Sequence, residues 1–135
     1  MRASFEANGL AYTPPEEVVP NTRRALRLTE LARDRGLHEP FHDRLMDAYW
    51  AESVDIGDAD ELLRLSAEVG LAADDVEATL ADGDAYLDRI LDATRSAQSI
   101  GITGIPAFLL DRRLLVLGAQ PREVFEQAFA QLGGA

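Results

Sequence analysis

The chain has 135 residues, 47% of them hydrophobic and 7% aromatic, enough for one folded domain with a real core. Its net charge is −11, its thirteen basic residues are all arginine, and it contains no cysteine. The acidity argues against nucleic acid or anionic membrane as a partner, and the absence of cysteine excludes a disulfide, a thiolate metal site or a thiol nucleophile from this chain.

The start, Met1-Arg2-Ala3-Ser4-Phe5-Glu6, holds no apolar stretch of signal-peptide length. No apolar run approaches the roughly 18 residues of a membrane span. The cytoplasm is therefore the expected compartment. Residues 2–9 read as a short helix stopped by Gly9. Leu10 to Pro20 is a connector, because Pro14 and Pro15 restrict themselves and the residue before them.

A helix starts near Asn21 or Thr22, both good caps. Ala25, Leu28, Leu31 and Ala32 form its apolar stripe and Gly36 ends it. Arg23, Arg24 and Arg27 are expected on its solvated side. A second helix starts near Pro40, with Phe41, Leu45, Ala48 and Tyr49 inward and Met46 and Trp50 widening the stripe. Asp58 caps a third, and Glu61 three residues on completes a capping box. Leu62, Leu63, Leu65 and Val69 face inward and Gly70 closes it. Ala73 to Ala81 is a fourth. Asp84 caps a long fifth to about Ile100, stopped by Gly101.

The pattern then changes. Gly101, Gly104 and Pro106 punctuate a loop. Phe108 to Leu110 and Leu114 to Leu117 are short apolar runs joined by Asp111-Arg112-Arg113, which predicts a β-hairpin. Pro121 opens a last helix through Val124, Phe125, Ala128, Phe129 and Leu132, and Gly133-Gly134-Ala135 frays out. The expected fold class is α+β and mostly helical, with five or six helices around the small hairpin. A two-stranded sheet is marginal alone and its edges invite another strand. A homodimer, or a second chain covering the hairpin edge, is the expected partner.

Few residues carry chemistry. His38 and His42 are four apart, a metal-binding spacing on a helix, but Pro40 between them marks a helix start, and no metal site is assigned. The carboxylates (Asp43, Asp47, Asp74, Asp75, Asp82, Asp84, Asp88) fall at caps and solvated faces. Arg23-Arg24 at a helix start either attracts an anion or is simply solvated. Asn21, Tyr49, Trp50 and Phe108 are candidates to line a groove, with core packing the competing role for the aromatics. Thr103-Gly104-Ile105-Pro106 is the strongest signal. Proline at a strand mouth gives up a ladder hydrogen bond, and the Ile105–Pro106 bond is either trans or cis.

The run Gly101-Ile102-Thr103-Gly104-Ile105-Pro106-Ala107-Phe108, with Gly118-Ala119-Gln120-Pro121 after it, resembles the C-terminal half of DsbA-like thioredoxin-fold oxidoreductases of the FrnE type. Val19 to Ala25, Ala48 to Trp50 and Asp55 to Asp58 resemble that family's helical insertion. The likeness covers roughly residues 10–132. It implies an N-terminal segment and connector over 1–20, a helical insertion domain over 21–100, and a partial thioredoxin-like segment over 101–135. It also implies a cis Pro106 and a peptide-binding segment Thr103, Gly104, Ile105 and Pro106. The family's Cys-x-x-Cys, in a βαβ unit before the insertion, has no counterpart here.

The resemblance therefore implies a truncated thiol–disulfide oxidoreductase, redox-inactive on its own, with no cofactor, no catalytic residue and a peptide or thiol as ligand. Alternatives are a non-catalytic interaction domain using its sheet edge, or a glutathione-binding remnant like the hydroxychromene-carboxylate isomerases. The serine those isomerases use belongs to the same missing unit. Ser4 does not stand in a comparable setting.

Overall fold

The computed structural model describes residues 1–133. The order is α1 (Arg2–Ala7), α2 (Arg23–Asp34), α3 (His38–Ala51), α4 (Ala59–Glu68), α5 (Ala73–Ala81), α6 (Leu87–Ser99), β1 (Ala107–Leu110), β2 (Leu114–Leu117) and α7 (Arg122–Gln131). Among the described residues there are seven helices, where five or six are expected from the sequence. The chain divides into two compact units, Met1–Ile90 and a second beginning at Leu91, so the boundary falls inside α6. Among the described residues no helix is long and apolar enough to cross a membrane.

The main core belongs to the first unit. It is built by α2 to α5 and their connections, with Leu28, Phe41, Leu62, Leu65 and Val76 fully enclosed. Helices α2 to α5 thus bury their apolar stripes on one another. Gly36, at φ 72°, lets the chain leave α2 in the left-handed region that other residues avoid. Arginine ion pairs tie neighbours together outside the core. Arg35 bonds Asp75 at 2.9 Å, joining α2 to α5, and Arg44 of α3 reaches Glu68 of α4.

Local readings shift where neighbours compete. Asp58 caps α4, its Oδ1 accepting from the N–H groups of Asp60 and Glu61 at 2.9 and 3.0 Å. Glu61 does not close the box: its carboxylate takes Arg64, and the Asp58 N–H donates to the Asp55 carbonyl. Helix α3 begins at His38, two residues before Pro40, which sits within the first turn where its missing N–H costs nothing. Helix α6 begins at Leu87 and not at Asp84, because Tyr86 has φ 63° and breaks the helical path.

In the second unit β1 and β2 pair antiparallel, Phe108 opposite Val116 and Leu110 opposite Leu114. Asp111 and Arg112 both have positive φ, and Arg113 N–H donates to the Leu110 carbonyl at 3.0 Å. That is a type I′ turn made without glycine. Phe108 meets Phe125 of α7 edge-on, with ring centroids 5.0 Å apart. Among the described residues of this unit, Val116 and Ala128 are buried.

Candidate functional site

Residues Ile102 to Pro106 follow α6 and lead into β1. Gly101, at φ 90°, ends the helix and turns the chain out. Gly118 N–H donates to the Pro106 carbonyl at 2.8 Å, which anchors the far end of the loop to the exit of β2. The Ile105–Pro106 peptide is cis. Between these anchors the main chain of Thr103, Gly104 and Ile105 makes no hydrogen bond to any described residue. Ile105 is 94% exposed. A large apolar side chain held in solvent beside unpaired amides and carbonyls is the arrangement an extended peptide can pair with.

Beside this loop runs a groove of about 560 Å³, lined by Thr94, Ala97 and Gln98 of α6 and by Ile102 to Ile105. No charged residue lines it. It offers apolar surface and amide dipoles, and it supplies neither an acid–base pair nor a nucleophile. Of the four loop residues singled out in the sequence, Thr103, Gly104 and Ile105 line this groove and Pro106 does not.

The groove candidates have the following partners within their own units. Tyr49 and Trp50 end α3 in the first unit. Trp50 meets Tyr49 edge-on at 4.7 Å, lies 5.2 Å from Phe5, and stacks on Tyr12 at 5.8 Å. Thr13 N–H donates to the Trp50 carbonyl at 2.6 Å, and Arg2 lies over the Tyr12 ring. These aromatics therefore hold the N-terminal segment onto α3. Phe108 is engaged by Phe125 within the second unit. Asn21 accepts from Arg23 N–H at 3.0 Å and starts α2.

His38 and His42 stack with ring centroids 6.2 Å apart. Arg33 Nη2 lies 3.0 Å from His38 Nε2, and His42 lies 3.6 Å from Asp43. Among the described residues no group of three or more metal-ligating side chains is assembled.

Sequence reasoning missed Arg27. It is 4% exposed, not solvated. Its Nε donates to the Ala85 carbonyl at 2.8 Å and its Nη2 to the carbonyls of Thr79 and Asp82. The available signal was its place four residues before Leu31, on the flank of the apolar stripe.

A family model described as a DSBA-like thioredoxin domain matches residues 1–130. The chain belongs to that family. Its sequence is 29% identical over 112 residues to the uncharacterized protein YwbO of Bacillus subtilis strain 168, covering 82% of this chain and 55% of that protein. Its fold is similar to the crystal structure of "probable DsbA oxidoreductase SCO1869" from Streptomyces coelicolor. The TM-score is 0.85 and the identity 40%, over 96% of this chain and 56% of that one. The chain thus spans about half the length of these relatives. This family member carries no cysteine among its 135 residues.

Proposed function

We propose that this chain acts as the thiol-free part of a DsbA-type system. It offers the Thr103–Pro106 backbone and the adjoining α6 groove to an extended peptide, and it does not exchange disulfides by itself. The observation that carries the reading is a DSBA-like chain with no cysteine. Disulfide exchange requires a thiolate to attack a disulfide sulfur, form a mixed disulfide and release the second thiolate. No atom of this chain can open that sequence. The unpaired backbone at Thr103 to Ile105 supports the peptide-binding half of the proposal.

The hairpin supports a partner. A sheet of β1 and β2 alone leaves ladder groups open along its edges. A second copy of the chain, or a chain bearing the thiols, would pair with them. Light scattering after size exclusion, with hydrogen exchange on residues 107–117, tests this. A monomer whose hairpin amides are fully protected refutes it.

The redox reading is tested by insulin reduction with dithiothreitol as electron source. The purified chain is expected to match the uncatalysed rate. Turnover without an added cysteine-bearing protein overturns the proposal. Peptide binding is tested separately by amide shifts in NMR. An extended peptide should move Thr103, Gly104 and Ile105, and shifts confined to other residues count against it.

A further inference from the structure

The first unit contains a cavity of about 370 Å³ lined by Asn21, Arg23, Arg24, Arg27, Gly57 and Gly83. The chain as a whole is strongly acidic, at −11. Among the described residues, eight of the thirteen arginines hold a carboxylate in an ion pair. Three of the five that do not are Arg23, Arg24 and Arg27, and all three converge here. In a chain with almost two acids for every base, three guanidinium groups left without counter-ions at one place call for an anion from outside.

The geometry sharpens this. Arg27 is buried, and three carbonyls hold its Nε and Nη2, so its guanidinium cannot swing away. Its remaining nitrogen, Nη1, has no acceptor among the described residues, while the side chain forms part of the cavity wall. Arg24 Nη1 donates to the Gly57 carbonyl at 3.2 Å, which orients a second fork at the same place. Arg23 is exposed at the first position of α2, where the 12-residue helix adds the positive end of its dipole. The nearby Asp55 and Asp82 form no ion pair with these arginines among the described residues; Asp55 Oδ1 accepts from Gly57 N–H at 2.8 Å and Asp82 Oδ1 from Asp84 N–H at 3.0 Å.

We infer that this cavity binds a phosphate-type oxyanion, either free phosphate or the phosphoryl group of a phosphomonoester. Planar guanidinium forks match a tetrahedral oxyanion by paired hydrogen bonds. Three of them balance a dianion better than a single carboxylate. The site lies in the first unit and serves a purpose separate from the peptide loop.

The test uses the full chain and inorganic phosphate, titrated by calorimetry at ionic strength held constant with sodium chloride. Saturable one-site binding is expected, with acetate at least tenfold weaker. The doubly substituted chain Arg23→Ala, Arg24→Ala should bind phosphate more than tenfold more weakly. Both side chains are exposed, so Trp50 fluorescence should show the fold unchanged. Arg95→Ala, whose partner is Asp92, should bind as the parent does. Phosphate should also raise the urea midpoint of the parent and leave that of the double variant in place, since only binding to the native state stabilises it. Phenyl phosphate binding as tightly as phosphate identifies the phosphomonoester as the fitting ligand, and binding of phosphate alone identifies the free ion. Non-saturating heats, or equal weakening by Arg95→Ala, overturn the inference.

Discussion

Replacing Arg27 by methionine keeps the alkyl stem and removes the guanidinium. Three carbonyls then lose their donor. The bond to Thr79 is buried, while those to Asp82 and Ala85 are partly buried. A buried carbonyl stripped of its partner costs about 1–3 kcal/mol. Taking about 2 kcal/mol for Thr79 and about 1 kcal/mol for each of the two that water can reach gives about 4 kcal/mol. The lost positive charge at the C-terminal end of α5 adds at most about 1 kcal/mol. Urea unfolding followed by Trp50, the single tryptophan, reads the first unit directly. With a slope of about 1.5 kcal/mol per molar urea, the midpoint should fall by roughly 3 M with the slope unchanged. Arg27→Lys, which keeps a charge but reaches fewer carbonyls, should fall between. A loss below about 1 kcal/mol for Arg27→Met would refute the argument, since these carbonyls would then be hydrated as well as they are bonded.

Ser66 is 1% exposed and its hydroxyl finds no partner among the described residues, so Ser66→Ala is expected to stabilise the chain by about 1 kcal/mol in the same urea assay. Phe5→Ala removes the ring that contacts both Tyr12 and Trp50; it should cost about 2 kcal/mol, shift Trp50 emission to the red and open the Leu10 connector to protease. The Arg44 hydrogen bond holds the Glu68 carboxyl below its ordinary value, and Arg89 does the same for Asp34. A carboxylate depressed in the folded state contributes stability that is complete above its unfolded pKa and is lost as pH falls through the folded one. The urea midpoint should therefore stay level from neutral pH toward the ordinary carboxylate range and fall below it. Arg44→Gln should reduce that acid-side loss, and added salt should shrink it because both carboxylates are exposed.

Much of the fold was legible because its signals act over three or four residues. Asp58 caps α4 from a position next to the apolar run it precedes, and Gly36 and Gly101 end helices because only the local backbone decides the left-handed turn. The hairpin was legible for the same reason: apolar runs flank a charged turn that cannot be buried. The candidate peptide segment Thr103 to Pro106 is read from adjacent residues; the main chain of Thr103 to Ile105 has no hydrogen bond to a described residue, while the Pro106 carbonyl accepts from Gly118 N–H.

What was misread depends on residues far apart in the chain. The capping box failed because Arg64 competes for Glu61. Trp50 packs on Phe5 and Tyr12, and local pattern alone does not show that the short first helix and the connector after it return to α3.

By itself, the sequence determined where most helices and strands lie, that this chain carries no cysteine, and that it is strongly acidic. Only the tertiary structure decided which arginines are free. Local pattern placed Arg27 with Arg23 and Arg24 in solvent. The carbonyls that bury it lie 52 to 58 residues away. An arginine can be taken out of water only when acceptors meet its guanidinium, and where those acceptors stand is a property of the folded helices alone.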